Sequence, residues 1–293
     1  MSEERAVYTT RPEILHTPDA DASGFAVAAE ELGFWTRLYG NGAMRKTALL
    51  VLLAAAWEIY ARALGNPLLF PTFTATVGAL VSGITDGEIP AAGLYTLSLL
   101  LKGYAAGLFF AASLTAFASV SRIGADLLET LTAMFNPLPS IALLPLALIW
   151  FGLGDNSVIF VLVHAVLWAV ALNTFAGFRA LSPTLRMVGQ NYGLSSAAYI
   201  VRILIPGAFP SILTGLKVGW AFAWRTLIAA ELVFGVSSGS GGLGWYIFEN
   251  KNQLRIPEVF AGLLTVILFG LFVENVIFRT IEQRTVRRWG MQN

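Results

Sequence analysis

The sequence predicts an all-α integral membrane protein with six transmembrane helices, on three observations. Of its 293 residues, 56% are hydrophobic and 13% are charged, whereas a soluble domain carries roughly a quarter charged residues. The mean hydropathy of the chain is +0.67. Apolar runs long enough to cross a bilayer as a helix, about 20 residues each, recur along the sequence. A chain of this composition belongs in a lipid bilayer.

The six spans follow in chain order. We place them near residues 47–64, 94–119, 128–150, 157–178, 207–235 and 257–279. The first carries Glu58 and Arg62, whose i, i+4 spacing allows an ion pair. The third contains "NPLPSIALLP", in which three prolines fall between Pro137 and Pro145. A membrane helix tolerates such a break only where it faces protein or a water-lined cavity, so this span is expected to line a transport path.

Basic residues near the span ends predict the orientation. If the N-terminus is cytoplasmic, the inside segments hold Arg5, Arg11, Arg37, Arg45, Lys46, Arg122, Arg179, Arg186, Arg202, Arg279, Arg284, Arg287 and Arg288. The outside then holds only Arg62, Lys251 and Arg255. Since lysine and arginine concentrate on the cytoplasmic side of a membrane protein, both termini are expected to be cytoplasmic.

The domain organisation is simple. Residues 1–45 form a cytoplasmic tail with no periodicity in its first half, so we expect disorder there. Within it, residues 25–39 place apolar side chains on one helical stripe, which indicates either an interfacial helix or a helix packed on its own protein. The six spans occupy 46–285, with a cytoplasmic loop at 179–206, and a short tail follows at 286–293.

Enzyme and nucleic-acid functions are not indicated. "GNGAMRKT", from Gly40 to Thr47, resembles a phosphate-binding loop, but Arg45 stands where that motif needs its second glycine and no strand precedes it. The two histidines, His16 and His164, are far apart, and the absence of cysteine excludes thiolate metal sites. We therefore predict no cofactor, no metal and no catalytic residues, and we see no dense basic tract for nucleic acid.

The loop before the fifth span carries a recognisable pattern. In "NYGLSSAAYIVRILIP", Gly193 is followed by nine residues and then by Ile203-Leu204-Ile205-Pro206. This resembles the signature E-A-A-x3-G-x9-I-x-L-P of the permease subunits of bacterial ABC importers. Isoleucine replaces the leucine, and Met187-Val188-Gly189 stands at the E-A-A positions, so the acidic residue is absent.

The likeness runs from Trp57 to Trp289. Segments such as "LPSIALLPLALIWFGLG", "ILTGLKVGWAFAWRTLIAAEL" and "GLGWYIFENKNQL" are similar to the nitrate/sulfonate/taurine/bicarbonate group of these permeases. The resemblance implies the type I ABC importer permease fold and a loop that couples to an ATPase. It implies that role for Gly193, Leu194, Ser195, Ser196, Ala197, Ala198 and Pro206.

The same resemblance implies the partners. Such permeases work in pairs, usually as two copies of one chain, with two ATPase subunits at the cytoplasmic face and an extracytoplasmic substrate-binding protein. ATP closes the ATPase dimer, draws the coupling loops together and opens the permease pair outward, and hydrolysis returns it inward. The expected function is import of a small anionic solute of the nitrate, sulfonate, taurine or bicarbonate class.

Charged and polar residues within the spans are the candidates for the substrate path, because such residues usually face the interior of the bundle. We select Lys102, Arg225, Glu231, Trp224, Asn136 and Pro139. A structural alternative stays open: Glu231 pairs with a basic residue of a neighbouring span or with Arg225, and Lys217 extends to the cytoplasmic interface. His164, Trp168 and Asn173 are interpreted as packing and hydrogen-bonding residues.

Two rival functions remain open at this point. The same machine could carry a neutral or aromatic cargo, which the eight tryptophans would suit. The chain could also be a secondary transporter or channel that needs no ATPase. Transport by the purified chain alone, driven by an ion gradient, would distinguish the second rival.

Overall fold

The computed structural model describes residues 40–234 and 241–288, and every regular element within those ranges is helical. The chain divides into two compact units, residues 1–54 and 55–293. The expected helix at 25–39 lies outside the described residues. The helices are α1 (Gly42–Leu64), α2 (Phe73–Thr85), α3 (Glu88–Val120), α4 (Arg122–Phe135), α5 (Ser140–Phe151), α6 (Asp155–Arg179), α7 (Pro183–Asn191), α8 (Ser196–Gly207), α9 (Phe209–Phe234), α10 (Leu243–Asn252) and α11 (Ile256–Val286).

The described helices account for the six predicted spans. Helices α1, α3, α6 and α11 are each long and apolar enough to cross a membrane, and two bent pairs supply up to two more spans. The pair α4 and α5 bends by 89°, and the pair α8 and α9 bends by 78°. The predicted third span is therefore broken, whereas residues 209–234 of the predicted fifth span form the single helix α9, and α8 falls in the predicted loop. Helices α2 and α10 are shorter elements that the hydropathy pattern did not predict.

Helices α3, α6 and α9 form the core of the bundle through close backbone approach. A Cβ placed on Gly103 of α3 would lie 2.6 Å from the Leu162 side chain, and one placed on Gly107 would lie 2.6 Å from Val166 Cβ. Since both numbers rise together along the two helices, α3 and α6 run parallel. Further along α6, Gly215 of α9 approaches Asn173. Small residues at such crossings let membrane helices pack tightly.

The two ends of this core carry different elements. Helices α7 and α8 follow the end of α6 and precede α9, so they lie at one end, which we call the α8 end. At the other end the first turns of α3 meet α10, where the Leu243 amide donates to the Thr96 hydroxyl at 2.8 Å. We call this the α10 end. Helix α9 connects the two ends.

Ion pairs fasten the flanking helices. Arg62 Nη2 lies 2.7 Å from Glu58 Oε1, which confirms the i, i+4 pair predicted in α1, and Glu58 also accepts from the Thr74 amide of α2 at 3.0 Å. Near the α8 end, Lys217 Nζ of α9 donates to Glu282 Oε2 of α11 at 2.6 Å. Lys217 is therefore a partner in an interhelical pair, not a side chain that only extends to the interface.

Candidate functional site: a mid-bundle cavity and a projecting loop

The break between α4 and α5 is built by proline. Pro137 and Pro139 lack backbone N–H groups and disfavour a helical residue before them, so α4 ends at Phe135 and helical structure resumes at Ser140. A single turn closes the gap, with the Leu138 amide donating to the Phe135 carbonyl at 3.1 Å. Pro145 lies within the first turn of regular α-helix, where proline is tolerated. The consequence is a short stretch of non-helical backbone between the two halves of the span.

That stretch forms one wall of a cavity of about 320 Å³. Residues of α6 and α9 form the other walls. The lining consists of Asn136, Pro137, Leu138, Pro139, Ser140, Ile141, His164, Ala165, Trp168, Phe222, Arg225, Thr226 and Ala229. Non-helical backbone at membrane depth is tolerated where it lines such a cavity, as the proline pattern predicted. Three of the predicted path residues, Asn136, Pro139 and Arg225, are brought together here.

The cavity has one cationic side chain and several hydrogen-bonding groups. Arg225 is exposed; its Nε donates to the Ala221 carbonyl at 3.0 Å and its guanidinium carbon lies 5.5 Å from the centroid of the Phe222 ring. Within the described ranges, Arg225 forms no ion pair. His164 Nδ1 and Ser140 Oγ are 3.1 Å apart, so one donates to the other. Among the lining residues the structure describes, there is no carboxylate.

Two further polar atoms of the cavity wall are buried without a hydrogen-bond partner in the described part of the chain. They are His164 Nε2 and Trp168 Nε1. Phe135 stacks on Trp168 with ring centroids 5.4 Å apart and holds the indole in place. The indole N–H is a donor only, and an unpaired buried donor costs free energy.

The other three predicted path residues lie elsewhere and do not line this cavity. Lys102 lies 3.9 Å from Asp155 at the start of α6, and its side chain is 60% exposed. Trp224 is buried in the core and stacks on Phe269 at 4.8 Å. Glu231 is 5% exposed and is hydrogen-bonded to the Thr96 hydroxyl. Adjacent positions on α9 point in different directions, so Arg225 faces the cavity and Trp224 does not.

In the described residues, Glu231 and Arg225 form no ion pair. The structural alternative in which these two side chains pair therefore does not match the structure. Not every residue of the cavity wall is apparent from the sequence pattern. Ser140 and Thr226 were not selected, and His164 and Trp168 were interpreted as packing residues. A signal was present for α9, because 222, 225, 226 and 229 fall at i, i+3, i+4 and i+7 and so share one helix face with Arg225.

The second candidate site is the segment from α7 to α8 at the α8 end, which we call the coupling segment (residues 183–207). Gly193 joins the two helices with a φ of +60°, and space around an added Cβ is open. Ser195 caps α8, its hydroxyl accepting from the Ala198 amide at 3.4 Å. The tip is solvent-accessible: Tyr192 is 79% exposed, and positions 193 and 195–197 are exposed.

The base of the coupling segment is fixed to the bundle. Leu204 and Ala208 are buried against Phe178 at the end of α6, with Tyr199 packed beside them. Within the segment, Gly189 is buried, and a Cβ there would lie 2.5 Å from the Tyr199 ring. Gly189 stands at the last of the three E-A-A positions of the signature. The two helices are in tight contact there, and glycine fits because it has no side chain. Met187, in place of the acidic residue, is 52% exposed.

Comparisons with known proteins agree with this geometry. A family model described as the binding-protein-dependent transport system inner membrane component matches residues 103–287. The chain is 29% identical to a putative ABC transporter permease protein of Methanocaldococcus jannaschii over 82% of this chain and 90% of that protein.

Two further relatives carry substrate names. The taurine transport system permease protein TauC of Escherichia coli is 28% identical over 80% of this chain and 86% of its own. The nitrate import permease protein NrtB of Synechocystis is 26% identical over 82% of this chain and 88% of its own. The family match covers both the cavity and the coupling segment. The chain therefore belongs to the binding-protein-dependent transport system inner membrane components, the permease subunits of ABC importers.

Proposed function

We propose that this permease, paired with a second copy of itself, forms the path of a small anionic solute, and that the cavity beside Arg225 is part of that path. One observation carries the proposal. Arg225 is an exposed cation within a membrane-spanning helix, and its cavity has no carboxylate among the described lining residues. An anion entering the cavity would exchange its hydration for this charge and for the hydrogen-bonding groups of Ser140 and Thr226.

The energetics of a charge in a membrane support the second copy. Placing arginine at the centre of a membrane helix costs about 2.5–3.5 kcal/mol on insertion scales, so such residues face protein or water. On the single chain, Arg225 and its neighbour Phe222, which is 43% exposed, are left uncovered. A second copy placed over this face of α9 would enclose the cavity and shield both side chains from lipid.

The coupling segment supports the remaining partners. Its exposed tip, the rigid base at Leu204 and the Gly193 turn suit docking to a separate ATPase subunit, which would supply the hydrolysis of ATP. With both termini cytoplasmic, as the basic residues indicate, the α8 end faces the cytoplasm and the α10 end faces the substrate-binding protein. The relatives named for taurine and nitrate favour an anionic cargo.

The test is uptake by proteoliposomes that contain this permease, its ATPase and its loaded binding protein. Arg225→Gln should reduce uptake of the anion by roughly tenfold or more, since losing one charge-assisted contact costs about 1.5–3 kcal/mol, while basal ATP hydrolysis is retained. Arg225→Lys should keep part of the uptake, because the charge remains but the planar donor group is lost.

Lys102→Gln is the matched control. It also removes a basic residue from a span, but Lys102 lies beside Asp155 and does not line the cavity. Its uptake should stay within about twofold of the parent, inside the spread expected for an exposed ion pair. Parent-like uptake by Arg225→Gln, or an equal loss in both variants, would remove Arg225 from the path. An effect of Arg225→Gln on a neutral cargo alone would favour the neutral-cargo alternative.

A further inference from the structure

A second buried polar cluster lies at the α10 end, and the proposed path does not use it. Glu231 of α9 accepts hydrogen bonds from the Thr96 hydroxyl of α3 at 2.9 and 3.0 Å and from the Gly244 amide at 2.9 Å. The Thr96 hydroxyl in turn accepts from the Leu243 amide at 2.8 Å. Thr96 is 0% exposed and Glu231 is 5% exposed. We call these two side chains the Glu231–Thr96 cap.

The Glu231–Thr96 cap takes the place of the N-terminal side-chain cap that α10 lacks. The residue before α10 is Gly242, which has no side chain to satisfy the first amides of the helix. Two other helices supply the acceptors instead, and the carboxylate also suits the positive end of the α10 dipole. A cap drawn from α3 and α9 holds three elements at one point.

The backbone around the cap leaves no room for adjustment. A Cβ added at Gly242 would overlap the Glu231 carboxylate. A Cβ added at Gly244 would lie 2.6 Å from Glu231 Cβ and 2.7 Å from the Ile228 carbonyl oxygen. Helix α10 therefore rests directly on the last turns of α9, with its backbone against the α9 side chains.

Stability alone is a poor explanation for this arrangement. No basic side chain of the described residues forms an ion pair with Glu231, so its burial is offset by hydrogen bonds and the α10 dipole, not by an opposite charge. A buried charge is weak evidence for stability, because taking it out of water carries a large desolvation cost. The specific effect of the cap is geometric, because it fixes the position of α10 relative to α9.

Helix α9 is the element that connects the two ends of the bundle. It begins directly after the coupling segment, it carries Arg225 in its middle, and Glu231 lies six residues further on, about 9 Å along the axis. Beyond the cap, α10 contributes Trp245 and Glu249 to an open cleft of about 660 Å³ at the α10 end, which Glu88 also lines. The cap and α9 thus form a continuous structural connection between α10 and the coupling segment.

We propose that Glu231 and Thr96 are positioning residues that make α10 move as one body with α9, so that docking of the loaded binding protein on the α10 end is transmitted to the coupling segment. This inference rests on the proposed function, because it needs an importer with a binding protein. It assigns the pair no contact with the solute. Removing the cap should prevent this transmission and leave the coupling segment and the α10 end intact.

The experiment measures ATP hydrolysis by the full transporter in nanodiscs, without and with the loaded binding protein. Thr96→Val removes the hydroxyl with little change of shape, and Glu231→Gln removes the charge while one carbonyl oxygen remains. Both should keep basal hydrolysis and lose about tenfold of the stimulation by the binding protein, the size expected for one hydrogen bond to a charged group. Thr96→Ser keeps the hydroxyl, so its stimulation by the binding protein should stay within about twofold of the parent's. In free energy, this is a few tenths of the effect expected for the other two variants.

A merely structural role gives a different pattern. Assembly, basal hydrolysis and stimulated hydrolysis would then fall in the same proportion, or both variants would fail to assemble, and either result would overturn the inference. So would full stimulation in Thr96→Val and Glu231→Gln. If the parent transporter itself shows no stimulation by any loaded binding protein, the proposed function fails, and this inference fails with it.

Discussion

Gly193→Val is expected to disconnect ATP hydrolysis from transport in a permease that still folds. Gly193 adopts a φ of +60°, and an added Cβ would meet no atom within 4 Å, so the penalty comes from the backbone alone. A left-handed conformation costs a non-glycine residue roughly 1–2 kcal/mol, and a β-branched residue is a genuine outlier there. A penalty of that size lowers the population of the native turn by roughly 5–30-fold.

The assay is binding-protein-stimulated ATP hydrolysis together with co-purification of the ATPase. Gly193→Asn should keep most of the stimulation, because asparagine adopts positive φ far more readily than other residues. Gly65→Val is the control for strain alone, since Gly65 has a φ of +63° and equally open surroundings in the turn after α1. Parent-like stimulation in Gly193→Val, or an equal loss in Gly65→Val, would refute the reasoning.

Three further predictions follow from the contacts. Lys217→Met should lower the melting temperature, since a partly buried hydrogen bond between charged groups contributes about 1.5–3 kcal/mol. The exchange of the two residues, Lys217→Glu with Glu282→Lys, should recover much of the loss. An unchanged melting temperature in Lys217→Met would contradict the ion pair. A cysteine introduced as Asn252→Cys should react with an impermeant thiol reagent outside intact cells, and one introduced as Ser195→Cys should not, a clean assay because the chain has no cysteine; the reverse labelling would overturn the orientation. Adding Glu231→Gln to Arg225→Gln should not restore uptake, because these two side chains form no ion pair; restored uptake would show that they are coupled.

Much of the fold is determined by local features, each of which lies within a single segment of the chain. The apolar runs predict the spans because each must be long enough to cross lipid and must satisfy its own backbone groups. The prolines at 137 and 139 predict the break in the third span, since proline cannot continue a helix there. The glycine at 193 predicts a turn, and the structure gives it positive φ.

The candidate site was less accessible from sequence, because its members come from distant parts of the chain. Asn136, His164 and Arg225 share one cavity only after α4, α6 and α9 have packed. Depth along a span does not identify the residues that line the cavity: Lys102 and Arg225 are predicted at similar depth, yet one lies beside Asp155 and the other faces the cavity. The direction of a side chain around its helix depends on which faces the neighbours cover.

By itself, the sequence determined the solvent, the number of spans, the places where helices break and the family, since each depends on composition or on spacing within one segment. Only the tertiary structure decided which polar side chains meet. Glu231 shows the difference most clearly. Its partners are Thr96, 135 residues away along the chain, and the amide of Gly244. A buried carboxylate needs donors, but spacing along one chain does not say which helix will supply them, because that depends on how the helices pack.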